Sequence, residues 1–249
     1  MKRFFKLFSI EEKLVLRTPD VIVFGVLMPL GVMFLIAAIA GGKMAGESGM
    51  TYLQSAYASL VCVGICCAGF MSIPLVVVDY RDKKILKHFY ASPCSPALLL
   101  GADVLSGFVT AALSALSITV IAVLVFGYRM QGNVFGFLGA WLLTLVSMFS
   151  IGLLMASLCK TAKSVNAVTS LVYFPMLFLS GATIPFELFP KGVQTVANVL
   201  PLTQGIRLMK AASMGTELKG LGWIIALLVG ITVICSGIAI KTFRWEGKE

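Results

Sequence analysis

The side chains with recognition chemistry crowd into one stretch, Asp79 to Pro96, between two long apolar runs. Asp79, Arg81, Asp82, Lys83, Lys84 and Lys87 place six charges within nine positions. If residues 83–90 are helical, at about 100° per residue, Ile85, Leu86, Phe89 and Tyr90 share one side. Lys83, Lys84, Lys87 and His88 then share the other, and Ser92-Pro93 and Ser95-Pro96 end the helix. Two readings stand: a cationic loop at a membrane surface, or an amphipathic helix that rests on its own spans and offers its cations to a soluble partner.

Other chemistry is sparse. The sequence has one His and no clustered metal ligands. Cys62 and Cys66 lie one helical turn apart, a spacing that suits a metal and equally suits small packing residues within a span. No charge falls in the middle of an apolar run; Asp103, at the start of the third, is placed to cap that helix or meet a loop lysine. A proton- or sodium-coupled carrier needs an ionisable or coordinating group near mid-membrane. A membrane-embedded lipid-modifying enzyme needs His, Asp, Glu or Cys clustered at one interface. Both alternatives, the enzyme and the stand-alone carrier or channel, lack their residues here. The Gly-Lys pairs at 42–43 and 247–248 follow Ala37 and Thr242 where a phosphate-binding loop needs glycine, so energy for uphill transport must come from elsewhere.

The elements that position these residues follow from composition. The chain is 59% hydrophobic and 12% charged. Soluble domains average about 25% charged, so this is an integral membrane protein. Uncharged runs at 21–40, 51–78, 104–128, 130–159, 164–186 and 220–240 are each long enough to cross a bilayer. Backbone groups in lipid must be satisfied internally, and the runs lack the alternation of a membrane barrel, so the expected fold is all-α with six transmembrane helices. Six spans put both termini on one side. Fourteen Lys and Arg fall in the terminal, 79–97 and 159–164 segments against six on the other face, which places both termini in the cytoplasm. The net charge of +9 then reflects topology and anionic lipid, not nucleic acid. None of the six cysteines falls in an expected external loop, so no structural disulfide is expected.

Along the chain, residues 1–18 read as an interfacial amphipathic helix, with Lys2, Lys6, Lys13 and Arg17 in one arc and Phe4, Phe8, Leu14 and Val15 roughly opposite. The basic start and Ala38-Ile39-Ala40 imitate a cleaved signal peptide, but the apolar run is too long and contains Pro29. The second span carries Gln54, Tyr57, Gly64 and Gly69, with Pro74 loosening its cytoplasmic end. The third is rich in Ser and Thr, which favour close packing. Trp141 in the fourth is a candidate interface anchor. The fifth carries Asn166, Thr169, Ser170 and Tyr173, suited to interhelical hydrogen bonds or to a wet cavity. From Gly181 to Gly215, Glu187, Lys191 and three prolines interrupt the hydrophobicity, and residues 192–206 are too few to span. That region reads as an external re-entrant helical hairpin forming a gate, with Gly181, Pro185, Glu187, Pro190 and Pro201 its candidate residues. The whole chain, 1–249, reads as one membrane domain.

These parts, taken together, resemble the membrane subunit of type-2 ATP-binding-cassette exporters, the ABC-2-type permeases. Arg17-Thr18-Pro19 and Met28-Pro29-Leu30 match the end of the interfacial helix and the first span. Asp79-Tyr80-Arg81-Asp82, Ile85 to Tyr90, and Ser92-Pro93 to Leu100 match the stretch after the second span. Ser180-Gly181, Pro185, Pro190, Pro201-Leu202-Thr203 and Gly215 match the series before the last. The chain departs from the family where Glu-x-x-Gly is usual, having Asp82 and Lys84 nearby, and has Arg207 and Lys210 where Asp and Arg are usual.

The resemblance implies an alternating or gated export path between two such subunits, each served by a separate cytoplasmic ATPase. That partner would use ATP and Mg; this chain would bind no cofactor. Asp79, Arg81, Asp82, Lys83, Lys84, Ile85, Leu86, Lys87, Phe89 and Tyr90 would form the coupling segment that docks on it. Family-like geometry brings the first, second and fifth spans to the subunit interface, making Phe34, Gln54, Tyr57, Asn166, Thr169 and Tyr173 candidates to line the path. A mostly apolar lining with a few hydroxyls and amides suits amphipathic drugs, peptides or lipids.

Overall fold

Prolines, glycines and short polar residues set the helix boundaries in the computed structural model, which describes residues 2–15, 19–40, 52–83, 96–181, 189–216 and 220–243. Helix α1 (Lys2–Val15) leads to a continuous rod in which α2 (Pro19–Ile22), a π-helical turn (Val23–Leu27) and α3 (Met28–Ala40) follow without a break. A second rod joins α4 (Tyr52–Cys67), a π-helical turn (Ala68–Ser72) and α5 (Ile73–Asp82). Then come α6 (Pro96–Leu124), α7 (Val134–Leu158), α8 (Ala162–Leu179), the short pair α9 (Lys191–Ala197) and α10 (Pro201–Met214), and α11 (Leu221–Thr242). Pro201 opens α10 at a position whose N–H would be unpaired anyway. Gly215 closes it with φ +70°, a conformation that side chains resist, while Thr216 N–H donates to Ala211 O. Asn133 caps α7 by accepting from Phe135 N–H at 2.9 Å, and Thr161 and Ser164 form a reciprocal capping box on α8.

Among the described residues there is no strand, and five helices are long and apolar enough to cross a membrane: Tyr52–Asp82, Leu98–Leu124, Val134–Leu158, Ala162–Leu179 and Leu221–Thr242. The first of the six expected spans falls in Pro19–Ala40, where the apolar helix Val23–Ile39 is shorter than the other five. The protein is an all-α integral membrane protein.

The 52–82 rod is the centre of the bundle. Its Ala58, Ser59, Cys62, Gly64, Cys66, Cys67, Ala68 and Gly69 are all buried. Small side chains let neighbouring helices approach closely where lipid supplies no hydrophobic drive for association. The cysteines there act as packing residues, with Cys62 S–H 3.3 Å from Met209 Sδ. The exterior is apolar instead: Leu116, Leu171, Trp223, Val233 and Ile240 are each more than 60% exposed, a surface suited to acyl chains rather than water. Trp141, expected at an interface, is buried edge-on against Phe108 at 5.5 Å, filling space between α6 and α7.

Most span hydroxyls bond back into their own helix. Thr110, Ser117, Thr144, Ser150 and Thr169 donate to carbonyls three or four residues earlier, at 2.7–2.9 Å. Ser114 is different: it reaches across to Gly25 O. Pro29 has no N–H for the turn that precedes it, so the π-helical stretch around Gly25 has carbonyl capacity to spare, and Ser114 fills it.

Candidate functional site

The stretch with the densest charge ties α5 to three other helices. Asp79–Asp82 are the last turn of α5 rather than part of a separate loop, because none of these four residues breaks a helix. Four consecutive side chains then reach four different places. Lys83 pairs with Asp79 at 2.8 Å on the exposed side, an i,i+4 contact. Tyr80 O–H donates to Glu11 Oε1 at 2.7 Å, tying α5 to the interfacial helix α1. Arg81, only 6% exposed, donates to Ala156 O at 3.2 Å and to Cys159 O, both at the C-terminal end of α7. Asp82 accepts from Ala162 N–H at 3.3 Å, at the first turn of α8. A cation thus meets the negative end of one helix and an anion the positive end of the next.

Of the other expected coupling residues, Lys84, Ile85, Leu86, Lys87, Phe89 and Tyr90 lie outside the described residues. Helix α1 keeps Lys6 and Lys13 exposed, half-buries Phe4 and Phe8 and buries Val15, while Leu14, expected on the same inward side, is exposed. Burial pushes the Glu11 carboxyl up, with the Tyr80 hydrogen bond opposing. Asp103, the residue expected to cap α6 or meet a loop lysine, is buried in the second turn of that helix. Neither of its oxygens has a hydrogen-bond partner among the described residues, and the loop lysines Lys84 and Lys87 are outside them.

The candidate path residues divide. Tyr57 and Tyr173 are buried inside the chain, as is Thr169, whose hydroxyl bonds to Val165 O. Tyr57 stacks on Tyr128 at 4.4 Å and on Phe137 at 5.6 Å. Its O–H lies 2.7 Å from Thr119 Oγ1, whose own hydrogen goes to Ala115 O, so Tyr57 is the donor. Phe34 and Asn166 stand on the surface, Phe34 edge-on to Phe126, and Gln54 is half-buried.

Residues 189–216 form two helices joined by a turn at 198–200. Helix α10 lies against α7 along its length. Gly205 meets Thr144 so closely that a Cβ would overlap it, and Gly132 abuts Ala212 O. The N–H groups of Gln131, Gly132 and Asn133 donate to Ser213 O and Ala212 O at 3.0–3.2 Å. Since position 205 faces 144 while 212 faces 132–133, α10 runs antiparallel to α7, and its Pro201 end lies deep while its Gly215 end reaches the 125–133 connection. Pro201 is buried, Pro190 exposed, and Gly181 ends α8 with φ +83°. Pro185 and Glu187 lie outside the described residues. Between α7, the last turn of α10 and the start of α11 is a cavity of about 630 Å³, lined by Asn133, Ala140, Leu143, Leu208, Ala212 and Thr216 among others.

Two contacts of this stretch have no counterpart in the sequence expectations. Glu11 falls at the Phe4, Phe8, Val15 spacing, so the helical wheel already put it on the inward face. Which carbonyls Arg81 would reach has no local signal, since they come from a connection about 75 residues away.

Comparison with known proteins fits this architecture. The family model of the ABC-2 type transporter matches residues 3–214. The chain is similar to the daunorubicin resistance ABC transporter permease protein of Streptomyces coeruleorubidus, 25% identical over 88% of this chain and 78% of that one. It is 26% identical to the inner membrane transport permease YhhJ of Escherichia coli K12, over 68% of this chain but only 46% of that longer protein. Nodulation protein J of Rhizobium meliloti is 24% identical over 83% of this chain and 79% of its own length. With the family model covering most of its length, the chain belongs to the ABC-2 type transporter family, as a multi-pass membrane permease subunit.

Proposed function

We propose that this chain is the membrane subunit of an ABC exporter that moves an amphipathic substrate (a drug, peptide or lipid-like molecule) using ATP hydrolysed by a separate cytoplasmic subunit. The observation that carries the reading is family membership over residues 3–214 in a chain without a phosphate-binding loop in its sequence. The drug-resistance name of one relative supports the substrate class. In this reading Pro19–Ala40 completes six spans, both termini are cytoplasmic, and the protein works as a pair, of two copies or of this chain with a related one, in a bacterial cell membrane.

The 84–95 segment would dock on the ATPase, with Ile85, Leu86 and Phe89 holding it to the membrane body and Lys83, Lys84 and Lys87 toward the partner, which holds ATP and Mg. Phe34 and Asn166, already on the surface, would line the path between the two permease subunits with Gln54. Tyr57, Thr169 and Tyr173 would support that wall from behind. Helices α9 and α10, with Gly181, Pro185, Glu187, Pro190 and Pro201 around them, would form the external gate. The test is to reconstitute the permease with its ATPase in liposomes and screen amphipathic drugs, peptides and lipids for stimulation of ATP hydrolysis. Stimulation by one class, matched by its ATP-dependent uptake into inverted vesicles, supports the reading; hydrolysis and uptake indifferent to every class contradict it.

A further inference from the structure

We infer that Arg81 and Asp82 are positioning residues that fix the root of the 84–95 segment to the α7–α8 corner, and that α7 carries displacement of that root to the α9–α10 hairpin. The inference rests on the coupling reading above and assigns these two residues a role inside the membrane body rather than on the ATPase.

The geometry begins with burial. The Arg81 guanidinium is turned inward, and its hydrogen bonds go to Ala156 O and Cys159 O. Carbonyls in the last turn of a helix lack intrahelical donors and carry the negative end of its dipole, so a buried guanidinium is held there by charge as well as by hydrogen bonding. Asp82, the next residue, holds Ala162 N–H at the positive end of α8. Residues 159–161 are all that separates the two helices, so opposite charges on adjacent residues grip both sides of one tight corner.

Two further contacts make α7 move with its neighbours. Midway along, α7 meets the 52–82 rod backbone to backbone: a Cβ on Gly152 would overlap Gly69 O, and one on Gly69 would lie 3.2 Å from Met148 Cβ. At Gly152 the backbone of the rod is the first thing a Cβ would meet, so this point of contact leaves little slack to absorb a displacement. Toward its other end α7 is packed through Thr144 onto Gly205 of α10, and residues 131–133 are hydrogen-bonded to Ala212 and Ser213. One helix is therefore fixed to the coupling root at its C-terminus, to the central rod in its middle and to the hairpin at its N-terminus.

The test uses the full complex with its ATPase in lipid, with spin labels at Lys83→Cys and Lys160→Cys in one sample and at Lys160→Cys and Thr195→Cys in another. All three sites are exposed. Distances are measured without nucleotide and with Mg-ATP and vanadate. The 83–160 distance should stay constant between the two states while the 160–195 distance changes. Arg81→Gln and Asp82→Ala should let 83 and 160 move apart and should shrink the change at 195 by about fivefold or more, with Arg81→Lys restoring most of it. If Arg81→Gln does not assemble, Asp82→Ala, at an exposed side chain, carries the test alone. Leu86→Asp separates this inference from the reading beneath it. If Leu86→Asp leaves the nucleotide-driven change intact, or the parent shows none, the coupling reading itself falls. If Leu86→Asp abolishes the change while Arg81→Gln and Asp82→Ala leave it as in the parent, the coupling reading stands and the role of Arg81 and Asp82 is overturned.

Discussion

The contact between Ser114 and Gly25 illustrates how this bundle handles polar groups in lipid. Pro29 deprives the preceding turn of an N–H, and a hydroxyl from another span takes its place. Such contacts inside membranes average only about 0.6 kcal/mol, but orphaning a buried carbonyl costs about 1–3 kcal/mol. Ser114→Ala should therefore lower the thermal midpoint in detergent by a few degrees, at about 2–4 °C per kcal/mol for a chain of this size. An unchanged midpoint would mean the Gly25 carbonyl is satisfied without Ser114. Glu11 gives the residue-scale pH prediction. Its carboxyl is raised above the ordinary 4.5, so the folded protein holds that proton more tightly than the unfolded chain does. The corresponding stability is fully present below the ordinary value and is lost as pH rises through the raised one. Glu11→Gln, which can still accept from Tyr80, removes that loss. The variant should be the more stable at about pH 8 and equal to the parent at about pH 4, as read by thermal unfolding at both. A difference independent of pH would contradict the assignment.

Helices, more than loops, carry the geometry at the next scale. Gly152 and Gly69 let α7 and the central rod meet backbone to backbone, so Gly152→Leu must force α7 off the rod. Overpacking of this kind costs about 1–3 kcal/mol or more, and the variant should show a clearly lowered midpoint and reduced yield of monodisperse protein, whereas Gly139→Leu, with open space at its Cβ, should not. The 84–95 segment gives the functional counterpart: Ile85→Asp, Leu86→Asp or Phe89→Asp should leave ATP hydrolysis by the complex standing while transport into inverted vesicles is lost, and normal transport would rule out the coupling role.

Much of this scale was legible beforehand. Long uncharged runs announced the long apolar helices because a helix in lipid has no alternative, and the shortness and polarity of residues 192–206 marked a stretch without a span of its own. The run of charges from Asp79 predicts a loop, but nothing in Asp79–Asp82 breaks a helix, and α5 continues to Asp82. Residue type alone predicts Trp141 as an interface anchor, but its position on the α7 face toward Phe108 decides its burial. The partners of Arg81 and Ser114 depend on how distant segments pack, which no local pattern encodes.

At the scale of the whole molecule, polar groups are placed as a body in lipid requires. Its surface is a broad apolar belt, and its interior holds hydroxyls turned back on their own helices. Among the described residues no three His, Cys, Asp or Glu side chains are grouped to hold a metal ion. The charged groups that bridge elements, Glu11, Arg81 and Asp82, lie together at one end, beside the segment proposed to meet the ATPase, and the hairpin lies at the other. In the proposed reading, the work of transport enters at this charged end from the separate ATPase. The most direct measurement is uphill solute movement in sealed proteoliposomes containing the permease with and without its ATPase, at matched permease density and with ATP and Mg supplied. Accumulation only when the ATPase is present is the result expected; accumulation against a gradient by the permease alone would contradict the account.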